Sequence, residues 1–298
     1  MFGLCSRRSQ TRIRRCAAAA GLLLLFATLA ASGRQADVFD DPLEELRKQV
    51  DADLSRDLRG VLPNLPALFA QEGIKSDDLQ LRNGLRDMLE KEKTISAELH
   101  PALLLAIDLV AEKLWCDSLE SVECRRLRDE MAPHHLTWAW DQLGAGWFYQ
   151  HDFLWRLQKE FSSSPWDEVA LILLLDRGWD TSIGCTNGTD RFREVIKQGE
   201  AFLAAHPAHA RRAEVLFLVA QAYETWWSLS KAPKDDDYAN AAAYQQGAPA
   251  AREKAIQNYE EVTRVAPQSR LAEAAREVAA KLKQGRDTSQ RRFFCIYD

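Results

Sequence analysis

The chain has 298 residues, 46 % hydrophobic and 28 % charged, and a formal net charge of −5 from 39 basic and 44 acidic side chains. This is ordinary globular composition, which excludes collagen-like, low-complexity and wholly disordered chains, and the acidic balance argues against a nucleic-acid binder working through a concentrated basic face. Residues 1–34 hold six Arg and no Asp or Glu, so without them the charge falls from −5 to −11.

Five of those arginines (Arg7, Arg8, Arg12, Arg14 and Arg15) precede an apolar run over residues 17–31, AAAAGLLLLFATLAA, and small residues Ser32 and Gly33 follow it. A basic start, a short apolar run and a small-residue exit predict a secretory signal peptide over residues 1–34, with an uncleaved anchor as the alternative. The expected mature chain is exported, periplasmic or extracellular, with no membrane span of its own. Export removes Cys5 and Cys16 and leaves Cys116, Cys124, Cys185 and Cys295, an even number in an oxidising compartment. Two disulfides are expected. Three pairings are open; a polar segment between Cys116 and Cys124 can turn back to join them, which leaves Cys185 for Cys295. Four buried free thiols are the alternative, and no C-x-x-C spacing favours zinc.

Past the leader the pattern is helical, and the expected fold class is all-α. Leu43, Leu46, Val50 and Leu54 recur at helical spacing, and so do Leu79, Leu81, Leu85 and Leu89. His100-Pro101 opens a richer apolar stretch, ALLLAIDLVAEKLW, expected to be buried on most sides. Alternating Val/Ile/Thr runs are nearly absent, so strands are not expected. His134 and His135 follow Pro133, and His151-Asp152 is expected on a helical stretch after Asp141. These histidines have ligand chemistry, and a metal-dependent hydrolase using His134, His135 and His151 is one alternative function. No H-E-x-x-H or E-x-x-H pair accompanies them, so capping or surface histidines are the simpler expectation, with no metal and no cofactor.

Aromatic residues crowd the next segment: Trp138, Trp140, Trp147, Phe148, Tyr149, Phe153 and Trp155. They either line a binding groove or pack an interface between two helical regions. Tyr223, Trp226 and Trp227 form a second group. Because Trp226 and Trp227 are neighbours, they cannot both face one core, and at least one is expected near the surface. The candidate partner-binding residues are Tyr223, Trp226, Trp227, Trp147 and Tyr149.

The second half repeats. Pro165, Pro207 and Pro267 each end one helical pattern and precede another. A small residue stands thirteen places after each: Gly178, Ala220 and Ala280. Ala170, Arg212-Ala213 and Ala272 fall near the fifth place. Ala255, Ile256, Tyr259 and Val262 precede the last proline, and Val195, Ile196, Gly199 and Phe202 hold the same offsets before the middle one. Small residues at fixed offsets allow neighbouring helices to approach closely.

Two segments, EAFLAAHPAHARRAEVLFLVAQAYE (residues 200–224) and AIQNYEEVTRVAPQSRLAEAAREVAAKL (residues 255–282), resemble the tetratricopeptide repeat family, closest to its exported bacterial cell-envelope members, the outer-membrane-assembly lipoproteins and cell-envelope coordinators. Tyr223 also fits that pattern. The resemblance covers about residues 150–283, strongly for the last two helix pairs. The prolines are 42 and 60 residues apart, whereas the family repeats at about 34, so loops are expected to intervene near residues 179–190 and 229–247.

The resemblance implies a solenoid of antiparallel helix pairs that holds a protein segment in its groove, without catalysis. The expected organisation is a leader (1–34), an N-terminal helical region (35–145), tetratricopeptide-like repeats (146–283) and a tail (284–298). That tail turns apolar at its end and is expected to dock back on the body or to serve as a partner-binding peptide. The expected function is a noncatalytic exported scaffold for a protein partner, with possible cell-envelope association. A purely structural, oligomerising helical protein is a further alternative.

Overall fold

The computed structural model describes residues 43–71, 74–75, 79–115, 121–141, 146–179, 190–233, 241–290 and 292–294. The leader, Cys116, Cys185 and Cys295 lie outside them. Among the described residues the architecture is mainly helical, as expected, and no helix is long and apolar enough to cross a membrane.

The N-terminal layer opens with α1 (Glu44–Asp57), which turns Leu46, Val50 and Leu54 inward at the spacing of one helix face. Next come α2 (Leu65–Phe69) and α3 (Leu79–Glu92), whose Leu81, Leu85, Met88 and Leu89 are buried. The apolar stretch forms α4 (His100–Ala111), buried on nearly every side. Ser121 caps α5 (Val122–Met131) by accepting from the Cys124 N–H at 3.2 Å. Cys124 is buried and disulfide-bonded, with its partner outside the described residues. A 3₁₀ turn follows (Ala132–His134), and His135 closes it in the left-handed region at φ 63°.

Here the strand-free expectation is corrected. After β1 (Ile74–Lys75) and β2 (Leu114–Trp115), which pair in parallel over two residues, an antiparallel ribbon joins β3 (Trp138–Asp141) to β4 (Gly146–Tyr149). Gly146–Tyr149 is therefore strand, and α6 (Asp152–Glu160) is the next helix described. Aromatic density is the reason. Trp138 pairs with Tyr149 and Trp140 with Trp147 across the ribbon, at ring-centroid distances of 5.3 and 5.5 Å. Cross-strand aromatic pairs stabilise a ribbon without Val/Ile/Thr alternation. The expected boundary at 145/146 falls between these two paired strands.

The C-terminal half begins with α7 (Pro165–Asp176), capped by Ser164 with Pro165 in its first turn. Helices α8 (Arg191–Ala205) and α9 (Arg212–Leu229) follow, then the short α10 (Ala241–Gln245), α11 (Ala248–Val265) and α12 (Arg270–Lys283). Helix α9 is buried almost throughout and packs against α8, α11 and α12. Close approach is visible at Gly199, where an added Cβ would stand 2.3 Å from Val219 Cγ2. Val195, Ile196, Gly199 and Phe202 are buried, as are Ala255, Ile256, Tyr259 and Val262, so both quoted patterns face inward.

Two of the thirteenth-place residues depart from the packing role. Gly178 lies past the end of α7 at φ 82°, a left-handed terminus that suits glycine, and Ala280 is exposed. The expected loop over residues 229–247 includes α10, whose Tyr244 is buried. Its ring meets Phe192 and Phe294, and its hydroxyl donates to Asp190 Oδ1 at 2.7 Å.

Candidate functional site

Two arrangements of polar groups stand out within this frame. The first runs through the N-terminal layer. Asp108, fully buried in the middle of α4, sits 2.8 Å from His151 Nδ1 and also accepts from the Leu154 N–H at 3.3 Å. Arg177 Nε donates to His151 Nε2 at 2.9 Å, and the same guanidinium contacts Glu112. An arginine can only donate, so Nε2 is the accepting nitrogen and Nδ1 carries the proton given to Asp108. His151 thus has both ring nitrogens engaged within the fold. It is held at φ 55°, a strained setting for a residue with a side chain, and it joins the ribbon to α4 and α7.

Arg177 and Glu112 reach the wall of a cavity of about 220 Å³, lined also by Arg47, Asp51, Lys113 and apolar side chains of α1, α4 and α7. Lys113 Nζ is tied to the carbonyls of Phe69 and Gln71 at 3.1 and 2.8 Å. Burial pushes the Asp51 carboxyl up to about 6, against the pull of Lys113 and Arg47.

His134 and His135 line a different, open cavity of about 400 Å³ with Glu92, Lys93, Arg156 and Glu160. The three histidines of the hydrolase alternative are therefore divided between an open rim and a buried link. Among the described residues no group of three His, Cys, Asp or Glu is placed to hold a metal ion.

The aromatic candidates are mostly packed. Tyr149 is buried, and its ring meets His151 at 5.2 Å. Trp147 is half-buried beneath the Arg128 guanidinium, 3.7 Å from the ring centroid. Tyr223 is buried, with its hydroxyl donating to Glu200 Oε1 at 2.7 Å. Trp227 is buried, with Lys231 over its ring. Trp226 keeps part of its surface open, as expected for one of the two neighbours; its indole N–H donates to the Tyr244 carbonyl at 3.1 Å. Of the candidate residues, Tyr149, Tyr223 and Trp227 are thus packed within the fold, while Trp147 and Trp226 keep part of their surface open.

The second arrangement lies beside α9 and is occupied by the chain's own C-terminal segment. Past α12, Thr288 Oγ1 is 3.3 Å from Ser228 Oγ, and Arg292 reaches both Gln221 Oε1, at 3.4 Å, and the buried Asp176 carboxylate. Asp176 is 3 % exposed and is also held by Arg47 at 2.6 Å. Phe293 and Phe294 are buried, the Phe192 N–H donates to the Phe293 carbonyl at 3.1 Å, and Phe294 forms an antiparallel bridge with Asp190. Deeper in the same wall, Glu224 accepts from the Tyr259 hydroxyl, and burial pushes its carboxyl above the usual range.

Apart from His151, the polar residues of both arrangements escaped the sequence reading. Their signal was a single polar residue inside an apolar helix: Asp108 in ALLLAIDLVA, Asp176 closing VALILLLD, Gln221 and Glu224 in LFLVAQAYE. Such residues are buried only with partners, so each marks a contact from elsewhere in the chain. No family model matches the chain, and comparison with curated proteins and with solved structures finds no match in either.

Proposed function

We propose that this chain is an exported, noncatalytic scaffold that holds a protein partner through a short tetratricopeptide-like array formed by the helix pairs α8–α9 and α11–α12. The observation that carries the reading is the register of the repeat: the matching residues before Pro207 and before Pro267 are all buried, while Arg193, Lys197 and Glu200 on α8 and Glu253, Lys254 and Gln257 on α11 stay exposed. A repeated inner face with an open outer face is what a solenoid needs to stack and to bind. Both ring nitrogens of His151 are engaged, by Asp108 and by Arg177, which supports the scaffold reading over a hydrolase that would use His151 as a ligand. Trp226 and Trp147, the candidate aromatics with surface still open, are the proposed aromatic contacts.

Export of the chain after removal of residues 1–34 belongs to the same proposal, with disulfides Cys116–Cys124 and Cys185–Cys295. The Asp190–Phe294 bridge supports the second pair, since it aligns main chain five residues after Cys185 with main chain one residue before Cys295. A non-reducing peptide map of the secreted chain tests both pairs, and four alkylatable thiols would remove them. The scaffold itself is tested by placing a photo-crosslinking amino acid at Lys197 and, separately, at Glu253 of the full chain in its native host. A discrete adduct with one protein is expected. Irradiation that yields no adduct from either position overturns the reading.

A further inference from the structure

We propose that the cleft beside α9 is a receptor for an extended peptide carrying an arginine followed by two aromatic residues, and that the chain's own C-terminal segment occupies it in place of a partner's. This rests on the scaffold reading and names the kind of segment the scaffold takes.

The segment is held in the way extended peptides are held by a partner surface: a main-chain bridge sets the register and a few side-chain pockets set the specificity. Each pocket has a defined chemistry. Asp176 and Gln221 receive a guanidinium, which gives a carboxylate 3 % exposed a second cation beside Arg47. Phe293 fills a fully enclosed apolar pocket, 1 % exposed. The ring of Phe294 lies against Tyr244, and the Phe192 N–H and the Asp190 main chain meet the backbone beside it.

Between α12 and these anchors, Gln284, Gly285, Arg286 and Asp287 are all exposed, and an added Cβ at Gly285 would meet nothing within 4 Å. The connection therefore adds little packing of its own, so the anchors and the proposed Cys185–Cys295 disulfide decide whether the segment stays. Asp176 keeps Arg47 when Arg292 leaves, so the emptied cleft still holds a paired charge. A tethered segment acts at an effective concentration on the order of millimolar. A free peptide with equal contacts is accordingly excluded from the intact chain and admitted when the connection is cut and the proposed Cys185–Cys295 disulfide is reduced.

The test uses the full chain with a protease site inserted at the exposed Gly285 connection and a fluorescein-labelled peptide of residues 286–294, RDTSQRRFF. After cleavage, and reduction of the proposed Cys185–Cys295 pair, the labelled peptide is expected to displace the cut segment and bind at least about tenfold more tightly than to the uncut chain under the same reducing conditions. The same peptide with Arg292→Ala or with Phe293→Ala is expected to lose about tenfold or more. No uptake by folded, cleaved chain overturns the proposal, as does uptake indifferent to the arginine.

If cleavage unfolds the chain, hydrogen exchange on the intact protein decides. Exchange at the Phe192 and Phe294 amides faster than in the centre of α9 supports local release, and exchange only with global unfolding overturns it. Peptide uptake without any photo-adduct removes the scaffold reading and leaves the cleft. A photo-adduct whose yield ignores the state of the segment removes the cleft proposal and leaves the scaffold.

Discussion

Around α4 and the ribbon, the fold is joined by charges: Asp108, His151, Arg177 and Glu112 form a chain of contacts spanning two helices and the start of α6. Around α9, it is joined mainly by shape, with Gly199 against Val219 and alanines at the inner positions of α11 and α12, and a buried ionic anchor reaches in from the C-terminal segment. The difference teaches how each half should fail. A buried charge whose partner is removed cannot relax, whereas a packed interface loses stability in proportion to the volume changed.

The sharpest way to break the comparison is Asp108→Ala. It leaves two buried donors, the His151 ring and the Leu154 N–H, without their acceptor, and a loss of about 3–5 kcal/mol in urea unfolding is expected. A loss below about 1 kcal/mol would place the strength of that half elsewhere. Phe293→Ala is expected to cost about 3 kcal/mol through the emptied pocket, the largest effect of any single change in the C-terminal segment. Gly199→Val should cost about 1–3 kcal/mol by overpacking, and Val219→Ala in the same chain should recover part of it; an equal cost with and without Val219→Ala would show that the two side chains do not meet. Trp226→Phe removes the indole bond to the Tyr244 carbonyl and trims the ring that meets Phe192 and Arg193, with about 1 kcal/mol expected.

These residues also mark how far the sequence could be read. Leu46, Val50 and Leu54, or Val195, Ile196 and Gly199, announce buried helix faces because periodicity and burial share one cause. The ribbon was not legible, since Trp138 and Tyr149 stabilise each other only after the chain turns back, and no local alternation records that. Gly178 met the repeat's offset for a different reason, a helix terminus, which spacing alone cannot tell from an inner packing position. The docking of the C-terminal segment was half legible: its closing aromatics pointed to burial, but Asp176 and Gln221 are 116 and 71 residues from Arg292. The helix-pair array itself rests on buried positions in two copies, and its membership in a known family stays a proposal.

The smallest effect separates the two halves by pH. Asp51, at the charged cavity, has its carboxyl raised by burial from the usual 3.8 to about 6, with Arg47 and Lys113 opposing the rise and Glu112 on the same wall. A raised carboxyl binds its proton more tightly in the folded chain than in the unfolded one. The contribution of Asp51 to stability is therefore most favourable below about pH 4, declines as pH rises toward about 6, and stays lost above that. Asp51→Asn escapes the decline. After discounting for solvent screening at a half-exposed group, the variant should melt about 2 °C higher than the parent at pH 7.5, with the gap closing toward pH 3.5. Phe293→Ala, by contrast, acts through apolar volume and should lower melting by a similar amount across the same range. A constant offset for Asp51→Asn, or a less stable variant at pH 7.5, would mean that Arg47 and Lys113 outweigh burial there, and that the cavity wall is held by paired charges like the rest of its half.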